Sequence, residues 1–349
     1  LQMLSSLADF RRFKNGPLSV IAVFLLVALL EGCQTLPAPQ TLPHRTAEAA
    51  FIPASTQIAL SDGKQAPVRL YIPNIPTPPL RGVILAFHGF GDSRDAWEVM
   101  APALNKAGFL IVAPDVRSFG EFPVKGNWST TDRMIADAVE EVRWCQHRWP
   151  GQPLYLMGES MGGALALLTS ANLPVPRPNG LILLAPAILS IGEPWQTLLE
   201  GWNLITPQAR LTGAHVPGHH VATGNLTAMR RMFFDPLTRH ETNVHALRGL
   251  THLMARALEA VPSVQAPTLL IWGDRDQFVP ASATGHLIQR APQHLFRLDE
   301  LPRGYHLITR EPHDRPAKDI ISWLEQPGHF LPSGGDSAAT MWLWLEQTR

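Results

Sequence analysis

Hydrophobic residues fall along this chain in two rhythms that alternate from about residue 67 onward. Short, nearly unbroken apolar runs recur near 68–72, 82–87, 109–114, 153–158, 180–185, 267–272 and 294–298. Between them lie stretches where apolar positions return every three or four residues, near 96–107, 130–148, 161–172, 281–290 and 314–325. An unbroken short run suits a strand buried on both faces, and the longer spacing suits a helix that buries one side. Their alternation predicts an α/β fold built on a mostly parallel, doubly wound sheet. Sites in such sheets lie at the carboxyl ends of the strands.

The rhythm stops between Ala185 and Pro267. Within that interval Trp195, Leu198, Leu199 and Trp202 recur at helical spacing, as do Leu247, Leu250 and Met254. Met229, Met232, Phe233 and Phe234 add another apolar cluster. About 80 residues is too long for a plain connection inside a compact domain, so a helical cap is expected over 190–262. Most of its apolar stripes should pack on the sheet domain, and some should roof an apolar pocket. The core then divides into 67–189 and 263–326, followed by a C-terminal tail over 327–349.

The first residues follow a different pattern. Arg11, Arg12 and Lys14 precede an uncharged apolar run from Leu18 to Leu30, which ends at Glu31-Gly32-Cys33. That run suits a signal peptide and falls short of the roughly 20 residues that span a bilayer. Leu30-Glu31-Gly32-Cys33 resembles a bacterial lipobox, which implies a signal peptide over 1–32 and lipidation of Cys33. Gln34 after the cysteine, by resemblance to Gram-negative lipoproteins, favours the outer membrane. The expectation is an exported, membrane-anchored lipoprotein of a bacterial envelope. An uncleaved apolar anchor is the alternative, and Arg11-Arg12-Phe13-Lys14 also resembles a twin-arginine signal. Residues 33–66, rich in Pro, Ala and Thr, read as a tether with room for an early strand near the end.

Composition narrows the picture. With 45% hydrophobic residues the chain has enough apolar material for a large core. Its 29 basic and 29 acidic residues cancel, leaving no basic footprint for nucleic acid. A lipidated Cys33 would leave Cys145 without a disulfide partner. Cys145 shares a helical stripe with Ile135, Ala138, Val139, Val142 and Trp149, which predicts a core thiol. His215, His219 and His220 cluster in the cap, but no cysteine or further ligand pattern accompanies them. They read as loop histidines, and neither metal nor cofactor is expected.

The candidate chemistry centres on Gly158-Glu159-Ser160-Met161-Gly162. The apolar run Leu154–Met157 precedes it and the helical run Gly163–Leu168 follows. A serine on a tight turn between strand and helix stands clear at the top of the sheet, with glycines giving the turn room. Upstream, the 82–87 run leads into His88-Gly89-Phe90-Gly91-Asp92-Ser93. Downstream, the 267–272 run leads into Gly273-Asp274-Arg275-Asp276-Gln277-Phe278-Val279-Pro280. The last run leads into Gly304-Tyr305-His306. Asp274 and Asp276 compete as the acid, and His294 and His313 compete with His306 as the base. Only His306 follows the last strand.

Together with Asp115-Val116-Arg117, these segments resemble the serine-hydrolase branch of the α/β-hydrolases that includes monoacylglycerol lipases and lysophospholipases. The resemblance spans roughly residues 67 to 325 and implies an α/β-hydrolase fold with an inserted helical cap. It implies Ser160 as nucleophile, Asp276 as acid by the family's Gly-x-x-Asp spacing, and His306 as base. The backbone amides of Phe90 and Met161 would form the oxyanion hole. Where the family has Asp-x-Arg-Gly-x-Gly, this chain has Ser118 in place of the first glycine.

The expected function is therefore hydrolysis of a small-molecule acyl ester or lipid through an acyl-enzyme, without cofactor. A proline-iminopeptidase-like peptidase and a non-catalytic lipid-anchored binding protein on the same fold are the alternatives. Against the first, such peptidases typically carry Gly-Gly-Ser-Trp-Gly at the turn; against the second, every catalytic role has a candidate residue here. Relatives of this fold that use an aspartate nucleophile are excluded by Ser160.

Overall fold

The computed structural model describes residues 50–347 apart from 74–78, 123, 125–126, 174–176 and 213–219. The signal-peptide and lipobox expectations, Cys33 included, fall outside these residues, as do His215 and His219. The chain folds around an eight-stranded sheet. In chain order its strands are β1 (Thr56–Ala59), β2 (Gln65–Tyr71), β3 (Gly82–Phe87), β4 (Phe109–Pro114), β5 (Leu154–Glu159) and β6 (Gly180–Leu184). Strands β9 (Thr268–Gly273) and β10 (Phe296–Leu301) complete it. Across the sheet the order is β1-β2-β4-β3-β5-β6-β9-β10. The pairs β1/β2 and β2/β4 are antiparallel, and the rest are parallel.

The central strands are apolar on both sides because both sides are covered. Val83, Leu85 and Phe87 of β3 point into one hydrophobic layer, while Ile84 and Ala86 point into the other. The first layer is completed by α2 (Thr131–Arg148), α3 (Met161–Asn172) and α7 (Ala281–Arg290); the second holds α1 (Ala101–Lys106) and α8 (Arg315–Glu325). Cys145 sits in the first layer, 1% exposed, and burial pushes its thiol pKa well up.

Between β6 and β9 the chain inserts α4 (Trp195–Ile205), α5 (Leu226–Phe234) and α6 (Val244–Ala260), with β7 (Arg210–Thr212) and β8 (Glu241–Asn243) paired as a small antiparallel ribbon. Helix α6 packs on α3 and joins the first layer through Leu253 and Ala257. Arg231 of α5 reaches Asp95 and Glu98 of the core at 3.1 Å each. Among the described residues, no helix is long and apolar enough to cross a membrane.

Three expectations need correction. The core begins before residue 67: the early strand allowed near the end of the 33–66 segment is Thr56–Ala59, the edge strand β1, because Ile58 and Leu60 face the core while Gln57 and Ala59 face solvent. The stretch 96–107 is not one helix. A 3₁₀ turn, Arg94–Trp97, is capped by Ser93, and α1 starts separately at Ala101 with Pro102 in its first turn. The last strand runs to Leu301 rather than 298, and residues 335–347 form a helix, α9 (Gly335–Gln347), packed on β10. Charge hid the strand extension: Asp299, in the strand, is completely buried against the C-terminal segment. Ala339 enters the first layer, and Trp342 meets Trp272 with ring centroids 5.6 Å apart.

Asp299 generates a stability prediction. Among the described residues its carboxyl meets no donor other than the Asp319 carboxyl, and burial, followed by the charge and hydrogen bond of Asp319 and the charge of Asp336, raises its pKa well above 3.8. A carboxyl raised on folding contributes its stability in full below the unfolded pKa. That contribution is lost as pH rises through the folded value. Asp299→Asn cannot ionise and brings a donor, so it should stabilise the protein at pH 8 by about 1–2 kcal/mol, a few degrees in Tm. Melts at pH 5 and pH 8 check this. A variant less stable than the parent at pH 8 would refute it.

Candidate active site

Strand β5 ends at Glu159 and helix α3 begins at Met161, so Ser160 alone makes the turn. Its backbone sits at φ 53°, ψ −117°, a region that L side chains rarely occupy. Hydrogen bonds hold it there: its N–H donates to Leu184 O (2.9 Å), and its carbonyl accepts from Gly163 N (3.0 Å) and Ala187 N (2.9 Å). The flanking glycines are sterically required. A Cβ on Gly158 would lie 2.1 Å from Gly162 O, and one on Gly162 would lie 1.9 Å from Phe87 O.

The loop after β3 passes directly over this turn; a Cβ on Gly89 would lie 3.6 Å from Ser160 Cβ. His88 anchors the loop from below. Its Nδ1–H donates to Gly89 O (2.8 Å) and its Nε2 accepts Val116 N–H (3.0 Å). Complete burial pushes its pKa down, which keeps the ring neutral as those bonds require. The Phe90 ring packs edge-on against Phe119 (5.2 Å) and stacks with Trp128 (6.2 Å). Neither the Phe90 nor the Met161 amide donates to a protein acceptor among the described residues.

Ser118 sits in this neighbourhood at φ 92°, a conformation that explains why glycine would be usual there. The serine is held by its surroundings. Its Oγ accepts from Ser129 N (2.8 Å) and its carbonyl accepts from Arg239 Nη2 (2.5 Å). Arg239 N in turn donates to Gly91 O (2.7 Å), tying the insertion to the His88–Gly91 loop.

At the ends of β9 and β10 the structure brings Asp276 and His306 together. The His306 Nδ1–H donates to Asp276 Oδ2 (2.8 Å), and Asp276 Oδ1 accepts the amides of Phe278 (2.8 Å) and Val279 (3.0 Å). Both side chains are buried, and Phe278 stacks on the imidazole at 5.0 Å. Burial lowers the His306 pKa, but the charge and hydrogen bond of Asp276, with help from Glu159, outweigh it and raise the value. The Asp276 carboxylate thus makes this ring a stronger proton acceptor than a free imidazole. Asp274, His294 and His313 are all exposed and stand apart from this pair. Among the described residues, no group of His, Cys, Asp or Glu is arranged to hold a metal ion.

Beneath these groups lie side chains that sequence reading passed over. Glu159 accepts from Thr309 N (2.8 Å) and Thr309 Oγ1 (3.0 Å). Arg310 forks onto Asp92 at 2.6 and 3.0 Å. Each stands inside or beside a recognised segment, which was the available signal, but the pairings join residues 150 and 218 positions apart. Taken together, a strained serine, a carboxylate-oriented imidazole and two free amides are the components of acyl transfer.

The family described as serine aminopeptidase, S33 matches residues 78–313. The chain is similar to human monoglyceride lipase, 26% identical over 281 residues that cover 78% of this chain and 89% of that protein. It is also similar to a monoacylglycerol lipase of Mycolicibacterium smegmatis, 24% identical over 70% of this chain and 88% of that one. Its fold resembles that of a soluble variant of monoglyceride lipase from Saccharomyces cerevisiae, solved with a substrate analogue. The TM-score is 0.67 with 18% identity, over 83% of this chain and 99% of the other.

The competition between the two acids yields a direct test. Asp276→Asn would keep acceptors for the loop amides but force the wrong imidazole tautomer, so turnover should fall by roughly 10³–10⁴-fold. Asp274→Asn should stay near the parent value. Steady-state turnover of any accepted ester decides the matter, and equal or inverted losses would reassign the acid.

Proposed function

The chain belongs to the hydrolase family described as serine aminopeptidase, S33, and within it we propose a serine carboxylester hydrolase of monoacylglycerols, lysophospholipids or similar acyl esters. The observation that carries this reading is the buried Asp276–His306 hydrogen bond at the same carboxyl end of the parallel strands as the strained Ser160 turn. In the proposed reaction, Ser160 Oγ attacks the ester carbonyl as His306 Nε2 takes its proton, and Asp276 stabilises the resulting imidazolium. The Phe90 and Met161 amides receive the developing oxyanion, each contributing about 3 kcal/mol. The imidazolium protonates the departing alcohol, and water, activated by the same histidine, releases the acid from the acyl-enzyme.

A lipid-like acyl chain is supported by the names of the similar proteins and by the surface of the inserted segment. Leu204, Ile205 and Leu226 stand there 83%, 81% and 76% exposed. Leu204 and Ile205 are adjacent at the end of α4, an exposed apolar surface of the kind that suits contact with lipid. The family's description names an aminopeptidase, so aminoacyl amides belong among the substrates tried.

Anchoring is part of the same proposal. Basic residues, a short apolar run and Leu30-Glu31-Gly32-Cys33 support export and lipidation at Cys33. Two or more acyl chains hold a protein stably on a membrane where one does not. The domain would then work on a tether beside lipid.

Ser160→Ala should abolish fluorophosphonate labelling and ester turnover while leaving the melting transition in place. Across monoacylglycerols, lysophospholipids, p-nitrophenyl esters and aminoacyl amides, the parent should prefer the acyl esters. Labelling that survives the substitution, or a preference for the amides, would overturn the reading.

For the anchor, mass spectrometry of the mature N-terminus should find lipidated Cys33, and Cys33→Ser should leave the membrane fraction. An intact peptide across Gly32 and Cys33 would rule lipidation out.

A further inference from the structure

Arg310 is a buried cation near the proposed site that the reaction just described does not use. Its guanidinium is buried, as is its partner Asp92, and the two meet in a two-pronged fork at 2.6 and 3.0 Å. Asp92 lies two residues beyond Phe90 and also accepts Ser93 N–H (2.9 Å). One residue before Arg310, Thr309 gives its amide and its hydroxyl to Glu159, the residue before Ser160. The opposite side of the stretch is held by the insertion: Leu307 N donates to Ala222 O (2.8 Å), and Thr223 Oγ1 donates to Arg310 O (3.1 Å).

A buried ion pair is a poor device for stability, because apolar side chains of similar volume usually serve as well. What the fork adds is direction. A guanidinium paired with both oxygens of a carboxylate fixes the distance and the angle between two chain segments. His306 needs such fixing. Asp276 holds only Nδ1, the neighbouring Phe278 is 47% exposed, and the Ile308 N–H bond to the His306 carbonyl fixes the backbone but not the ring. A reacting group displaced by about 1 Å loses on the order of 10²-fold in rate.

We propose that Arg310 and Asp92, together with the Glu159–Thr309 contact, are positioning residues that hold the His306 loop in register with Ser160 and the Phe90 amide. This rests on the roles given to Ser160 and His306 above. Arg310 and Glu159 also feel each other's charge. Burial raises the Glu159 pKa to about 7, against the opposing charge of Arg310 and the nearby imidazole of His306, with Asp92 adding to the rise. The network therefore acts on His306 by charge as well as by geometry, and the two can be separated.

Arg310→Lys keeps the charge and loses the fork. It should lower fluorophosphonate inactivation and kcat for a p-nitrophenyl ester by about 10- to 100-fold, with KM nearly unchanged and the pH profile in place. Glu159→Gln keeps the shape and loses the charge, so it should move the acidic inflection of kcat/KM, which reports His306, to lower pH. A folded Arg310→Lys within about twofold of the parent rate, or a loss confined to KM, would overturn the proposal. If Arg310→Lys does not fold, Thr309→Val decides, since it removes one hydroxyl contact to Glu159 and strands no charge. A several-fold fall in inactivation rate supports the proposal, and an unchanged rate overturns it. The probe reports Ser160 and His306 whatever the natural substrate. A parent that labels but cleaves no acyl ester overturns the substrate class alone; one that does not label overturns the positioning proposal as well.

Discussion

Everything at the reactive edge of this molecule depends on one backbone constraint, the left-handed turn at Ser160. A non-glycine residue at φ 53° is costly, and it persists only where the surroundings over-determine it. Here they do. Strand β5 is hydrogen-bonded on both sides, α3 is buried through most of its length, and the turn amide is taken up by β6. The glycines at 158 and 162 permit the close approach that sets the angle. The strain is stored in a rigid frame, and the frame aims the serine.

The remaining groups are brought to that point by separate loops, each with its own anchor. His88 fixes the loop of the Phe90 amide through two ring hydrogen bonds that require a neutral imidazole. Asp276 fixes His306 through one oxygen while two loop amides hold the other. Burial would by itself push the His306 pKa down, and the adjacent carboxylate reverses the sign. Two buried histidines in one site thus have their pKa values moved in opposite directions, for reasons visible in their partners. That division suits a serine ester hydrolase, in which His88 only supports a loop while His306 must accept a proton from serine and pass it on.

The insertion between β6 and β9 takes part in this order. Arg239 reaches the carbonyl of the strained Ser118 and pairs its own amide with Gly91. Arg231 ties α5 to Asp95 and Glu98. The covering segment and the loops beneath it are consequently parts of one hydrogen-bonded assembly, and the exposed apolar side chains sit on its outer side.

The sequence by itself determined the alternation of strands and helices, the doubly wound sheet and the interruption after β6. These follow from local periodicity, which a strand or helix writes into consecutive residues. It also marked Ser160 and the segments holding Phe90, Asp276 and His306, because a sharp turn demands glycines close by in the chain. The residues alone left Asp274 and Asp276 in competition and only a family spacing favoured Asp276; the tertiary structure supplies the physical difference, burying the Asp276 side chain beside His306 and exposing Asp274. Only tertiary structure joined Arg310 to Asp92 and Thr309 to Glu159, across 218 and 150 residues. It alone placed Asp299 inside and folded the last residues over β10. A charged residue reads as surface until a partner or a covering helix arrives from elsewhere in the chain, and that arrival is a property of topology, not of local pattern.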